Sequence, residues 1–130
     1  MVDGVAQRTH RPVTEVAPGA IDLEVVFTPP RGQKLDERYG PATRLVVSAT
    51  PPALLREGEG RGDGLSRRLV LDPHVGDGVL HVAAMAASCD DATGPDGAEF
   101  PACHVHQQDW GVPVRLVDGA AAELRLYLAG

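Results

Sequence analysis

Val79-Leu-His-Val-Ala-Ala-Met-Ala-Ala-Ser-Cys89 decides the architecture, because its apolar residues fall on both parities and an alanine-rich run suits a helix as well as a central strand. Its surroundings favour the strand. Asp72-Pro73 and Gly76-Asp-Gly78 place turns just before it, Asp90 to Pro101 is a loop of Asp, Gly and Pro just after it, and turn signals recur along the chain at the short spacing of a sandwich. Ala102-Cys-His-Val-His-Gln107 reads as the returning strand. If the two form an antiparallel hairpin with Cys89 opposite Cys103, then Ala87 faces Val105 and Met85 faces Gln107 on one mostly apolar side.

Working outward, Ile21-Asp-Leu-Glu-Val-Val-Phe27 alternates apolar and acidic residues, the pattern of a strand with one buried face, and Pro29-Pro30-Arg-Gly32 stops it. Gln33 to Gly40 reads as a charged loop with room for one helical turn, and Arg44-Leu-Val-Val-Ser-Ala49 as a strand closed by Pro51-Pro52. Gly58-Glu-Gly-Arg-Gly-Asp-Gly64 is expected to be an exposed loop, since glycine loses the most backbone entropy on ordering. Leu65, Leu69 and Leu71 mark another strand, and Val112–Val117 and Glu123–Leu128 two more, bounded by Gly111 and Asp118-Gly119. Residues 1–19 read as a linker or loosely ordered segment, and 20–130 as one all-β domain, an antiparallel sandwich of about seven to eight strands.

Composition narrows the function. The chain is 130 residues long, 43% hydrophobic and 23% charged, which fits one globular domain, and no apolar run approaches the roughly 20 residues of a spanning helix. A net charge of -6 leaves no cationic excess for phosphates, so nucleic acid is a poor partner. Lys34 is the one lysine, and the richness in Ala, Gly, Asp and Arg points to a GC-rich, bacterial source. The first ten residues have no basic stretch followed by an apolar one, so a cytoplasmic location is expected. With aromatics scarce, Trp110 reads as a core anchor or as a contact at an interface; the core reading is preferred.

Three chemistries are open to Cys89 and Cys103. Directly opposed residues in antiparallel strands lie within the span a disulfide accepts, and closing this loop would stabilise the fold by about 3 kcal/mol. The pair is then structural, or a buried reduced pair in a reducing compartment. Alternatively it exchanges with a partner thiol, which needs one accessible sulfur. The third chemistry is metal ligation with His81, His104 and His106; strand parity opposes it, because His104 and His106 project to the face opposite Cys103.

Other motifs carry less. The glycine run leads into a strand and holds Glu59 and Asp63 in place of a lysine, so it is no phosphate loop, and Arg61-Gly62-Asp63 is a chance adhesion tripeptide. Calcium at Asp63, Asp72 and Asp77 lacks repeated ligand spacing. Ser66 and Ser88, with His81 or His74 as base, sit in no nucleophile-elbow pattern. No motif calls for a cofactor.

Lys34-Leu-Asp-Glu-Arg-Tyr-Gly40, Ala84-Met-Ala-Ala-Ser-Cys-Asp90 and Pro101-Ala-Cys-His-Val-His-Gln-Gln-Asp-Trp-Gly-Val-Pro-Val114 resemble the C-terminal β domain of bacterial proteins that join a thioredoxin-like domain to an NHL-repeat β-propeller. The resemblance covers about residues 17–130 and rests on three motifs in order. It implies a non-catalytic interaction module whose protein partner is a thioredoxin-like domain or a β-propeller, with Trp110 and Tyr39 as aromatic contacts. More distantly, a strand ending in cysteine and a second cysteine on the returning strand are similar to the immunoglobulin-like N-terminal domain of DsbD-type thiol:disulfide interchange proteins. That likeness implies an immunoglobulin-like sandwich in which Cys89 and Cys103 would exchange electrons, shielded by Tyr39 or Phe100. In this chain His104 follows the second cysteine, where a tyrosine is usual.

Overall fold

Asp77–Asp90 is one extended strand, with Leu80, Val82, Ala84, Ala86 and Ser88 buried and the residues between them half-exposed up to Ala87. Pairing along both of its edges overrides the helical preference of its alanines. This is seen in a computed structural model that describes residues 8–35, 41–90 and 102–129, with side chains from residue 11 on; Tyr39 and Phe100 lie outside them.

The strands in chain order are β1 (Arg8–His10), β2 (Thr14–Val16), β3 (Gly19–Phe27), β4 (Gln33–Leu35), β5 (Thr43–Thr50), β6 (Leu55–Glu57), β7 (Gly60–Asp63), β8 (Ser66–Leu71), β9 (Asp77–Asp90), β10 (Cys103–Leu116) and β11 (Glu123–Leu128). One 3-10 turn, Pro52–Leu54, precedes β6, and no α-helix occurs among the described residues. The first sheet runs β1-β10-β9-β5-β7, with β2 continuing β1 along β10 and β4 continuing β5 along β9. The second runs β11-β3-β8-β6. Several of the eleven segments are thus pieces of a shared edge, which is why they outnumber the seven to eight expected.

The sheets pack face to face as a sandwich. The first contributes Leu45, Val47, Leu80, Val82, Trp110 and Val112 to the core, the second Ile21, Leu23, Leu69, Leu71, Leu124 and Leu126. Each fully buried Leu or Val stabilises by about 1.5–3 kcal/mol relative to exposure. Trp110, 3% exposed, is a core residue, so its indole offers no surface contact.

Besides Gln33–Leu35, which forms strand β4 where a loop was expected, four expectations change. The sheets are mixed: β1 and β2 run parallel to β10, and β11 parallel to β3. These strands arrive by crossing between sheets, so no tight hairpin dictates their direction. Second, residues 1–19, read as a linker or a loosely attached first strand, contain the two short strands β1 and β2. Third, β10 continues through Gly111, where a break was expected, and on through Pro113. Asp90 N–H bonds to Ala102 C=O, so in this register Pro113 is a non-hydrogen-bonded position toward β9. Its missing N–H falls in the gap between β1 and β2, where it costs no ladder bond.

The fourth change is the glycine run, whose Gly60–Asp63 forms edge strand β7. The Arg67 guanidinium, on β8, donates to the carbonyls of Gly58 (2.9 Å), Gly60 (2.7 Å) and Leu45 (3.1 Å), tying β7 and β5 to the other sheet. Gly58 has φ +101, and a Cβ there would lie 2.5 Å from Leu69 Cδ2, so this turn requires glycine.

Candidate functional site

Cys89 and Cys103 are opposite each other in the β9–β10 register and joined by a disulfide, with Cα atoms 4.0 Å apart. Because Asp90 and Ala102 form the neighbouring hydrogen-bonded pair, the cysteines occupy a non-hydrogen-bonded pair, where facing Cα atoms come closest. Both sulfurs project to the outer side of the first sheet, away from the core. Cys89 is 3% exposed, whereas Cys103 is exposed to solvent. Lys34 on β4 stands opposite Cys89 on that same side.

From the disulfide an apolar strip runs down the outer side of β9 and β10. Ala87 faces Val105, Met85 faces Gln107, Ala83 faces Asp109, His81 faces Gly111 and Val79 faces Pro113. Val105 is 63% exposed, and Val46, beside Ala83 on β5, is 38% exposed. Small residues on the central strand leave shallow depressions. One of about 220 Å³ lies over Ala83 between Arg44, Val46, Arg61, Met85, Gln107 and Asp109. A second, of about 130 Å³, lies between Val46, Ser48, His81 and Asp109.

The inner side of the hairpin tip is chemically different. Ser88 is fully buried; its hydroxyl donates to Gln33 Oε1 (2.6 Å) and lies 3.0 Å from His106 Nε2. With the hydroxyl proton committed to Gln33, His106 Nε2–H is the donor to the serine oxygen. That polarity is the reverse of what activates a nucleophile, which needs the imidazole to accept the proton. The cluster satisfies a buried polar group, and the Phe27 ring packs against His106 at 5.0 Å, tilted by 42°. Ser66 is exposed on β8, and His74 sits in the Asp72 turn, where its N–H donates to Asp72 Oδ1.

The three histidines weighed as metal ligands are divided between faces. His81 is on the outer side, its Nε2 2.8 Å from Thr50 Oγ1, while His104 and His106 are on the inner side, His104 3.6 Å from Asp90 Oδ1. Among the described residues no three His, Cys, Asp or Glu side chains gather as a metal site. Of the residues anticipated from the sequence, the structure brings together Cys89 and Cys103 and sends Trp110 to the core. Sequence reasoning missed Arg44, Arg61 and Arg67, whose placement depends on the pairing of β5, β7 and β8. It also missed the Ser88–Gln33–His106 cluster; the parity match of Ser88 with His106 across the hairpin was the available signal.

No helix among the described residues is long and apolar enough to cross a membrane. Compared with known proteins, the chain matches no protein-family model and no curated sequence.

Proposed function

We propose that this chain is a non-catalytic β-sandwich interaction module that receives a protein partner on the outer side of its first sheet. The observation that carries the reading is the strip from Val105 to Val79, where Val, Ala, Met, Gly and Pro hold most solvent-facing positions in the middle of a sheet and Gln107, Asp109 and His81 interrupt them. Exposed apolar surface that is contiguous and rimmed by charge marks interaction sites, whereas scattered apolar residues do not. The partner class implied by the sequence resemblance is a thioredoxin-like domain or a β-propeller. Titrating purified chain with each of these tests the reading. Binding is expected to be lost in Val46→Glu/Val105→Glu and retained in Cys89→Ser/Cys103→Ser; binding indifferent to the first pair of changes contradicts it.

A second reading, thiol–disulfide exchange, is favoured by the unequal exposure of the two cysteines, Cys89 buried and Cys103 exposed. A partner thiolate would attack Cys103 Sγ, forming a mixed disulfide and expelling Cys89 as thiolate beside Lys34. A second partner thiol would then release Cys103, leaving the partner oxidised to a disulfide and this chain reduced to a dithiol. The midpoint potential and the rate of reduction by a thioredoxin-like dithiol test this reading. A potential far from thioredoxin couples, or a disulfide inert to the dithiol, removes it.

A further inference from the structure

The depression over Ala83 is electrostatically lopsided. Arg44 and Arg61 border it on the β5–β7 side, Gln107 and Asp109 on the β10 side, and Val46 and Met85 between them. Neither arginine has an ion pair or a side-chain hydrogen bond among the described residues. Asp63 stands opposite Arg44 in the β5–β7 register and still makes no ion pair with it. The contrast is with Arg67 and Arg125, which are both engaged. Asp63 and Asp109 offset the two guanidiniums in net charge, so the positive character is confined to the β5–β7 side, where Arg44 and Arg61 lie beside Val46.

We propose that this depression receives a carboxylate-bearing side chain from an extended segment of a protein partner, held between Arg44 and Arg61. The inference rests on the docking reading of this face and names the chemistry of what docks. Guanidinium is the group best suited to a carboxylate, and two of them on adjacent strands converge on one anion. The flanking side chains of the segment lie on the strip, one toward Met85 and Ala87, one toward His81 and Val79. Outer-face positions on β9 repeat every second residue, about 6.8 Å, which is the repeat of side chains on one side of an extended peptide. Ala83, Ala87 and Gly111 have little or no side chain, so the backbone of the segment approaches closely. A small free anion gains none of this apolar contact, and the depression is too open to hold it by burial.

The test uses the intact chain and three blocked hexapeptides, Val-Ser-Glu-Ser-Val-Ser and the versions with Gln or Lys in place of Glu, followed by amide NMR at low ionic strength. The Glu peptide is expected to shift Arg44, Val46, Arg61, Ala83 and Met85. Affinity should fall about tenfold in Arg44→Ala/Arg61→Ala, stay unchanged in Arg125→Ala, and weaken with salt. Both arginines are exposed, and retained amide dispersion in the double variant shows that it is folded. Equal binding of the Gln and Glu peptides to this face overturns the acidic inference and leaves the docking reading standing. Preference for the Lys peptide does the same. If no peptide touches the face, or shifts cluster on β3, β8 and β11, both fall.

Discussion

The two outer faces of the sandwich are built on the same alternating pattern and end up as different surfaces. On the second sheet, outward positions include Asp22, Glu24, Arg68, Glu123 and Arg125, with Arg125 bonded to Glu24 at 3.0 Å across β11 and β3. A hydrogen bond to Tyr127, followed by the Glu24 charge, holds the Arg125 guanidinium above its ordinary pKa. One ion pair, Arg125 with Glu24, forms there, opposite charges also face each other at Asp22 and Arg68, and Tyr127, 64% exposed, stands among them. On the first sheet the outward positions of β9 are Asp77, Val79, His81, Ala83, Met85, Ala87 and Cys89, and Arg44 and Arg61 nearby make no ion pair although Asp63 and Asp109 stand close by. A face on which charged residues hold most outward positions is adapted to water. A face with a largely apolar central strand and unengaged arginines at its rim is the one we propose a partner covers.

The sharpest way to break this contrast is to remove its cross-link. Cys89→Ser/Cys103→Ser opens a loop with a sequence separation of 14 and should cost about 3 kcal/mol in denaturant unfolding. A cost near zero would mean that the bond does not tie the hairpin. Next comes Arg67→Ala, which leaves three carbonyls without their charged donor and should cost about 2 kcal/mol. Hydrogen exchange should then accelerate in β7 while the amides of β3 and β11 keep their protection. Acceleration spread evenly over both sheets would argue that Arg67 does not brace β7 specifically. Gly78→Ala should cost about 1–3 kcal/mol, because a Cβ there would lie 2.5 Å from the Thr50 carbonyl oxygen where β9 meets β5. The smallest effect is expected on the other face. Glu24→Gln breaks an exposed pair and should change stability by less than about 1 kcal/mol, shrinking with salt. A larger loss would mean that the second sheet depends on its surface charges more than burial implies.

Much of the fold is legible in residues that alternate. Ile21 to Phe27 and Glu123 to Leu128 display their period openly, because one side meets Leu69 and Leu71 or their neighbours and the other meets water. Val79 to Cys89 hides its period, since the outer side is largely apolar as well, and the same property that obscured the strand underlies the proposed docking face. The cysteine register followed from parity and one assumed hairpin, and the structure has it residue for residue. What could not be read were arrangements joining distant segments: the parallel β11–β3 pairing, the conversion of the glycine run into β7 by Arg67, and the hydrogen bond from Ser88 to Gln33, 55 residues away. None leaves a local signal, because the partner in each case comes from another part of the chain.

The claim at the centre is that the face of β5, β9 and β10 is the one that is covered in use. The most direct measurement is amide NMR mapping of the chain on addition of a thioredoxin-like domain or a β-propeller. Perturbations confined to Val46, Ala83, Met85, Ala87, Val105 and their neighbours are the predicted result; perturbations centred on Glu24, Arg125 and Tyr127 would contradict it.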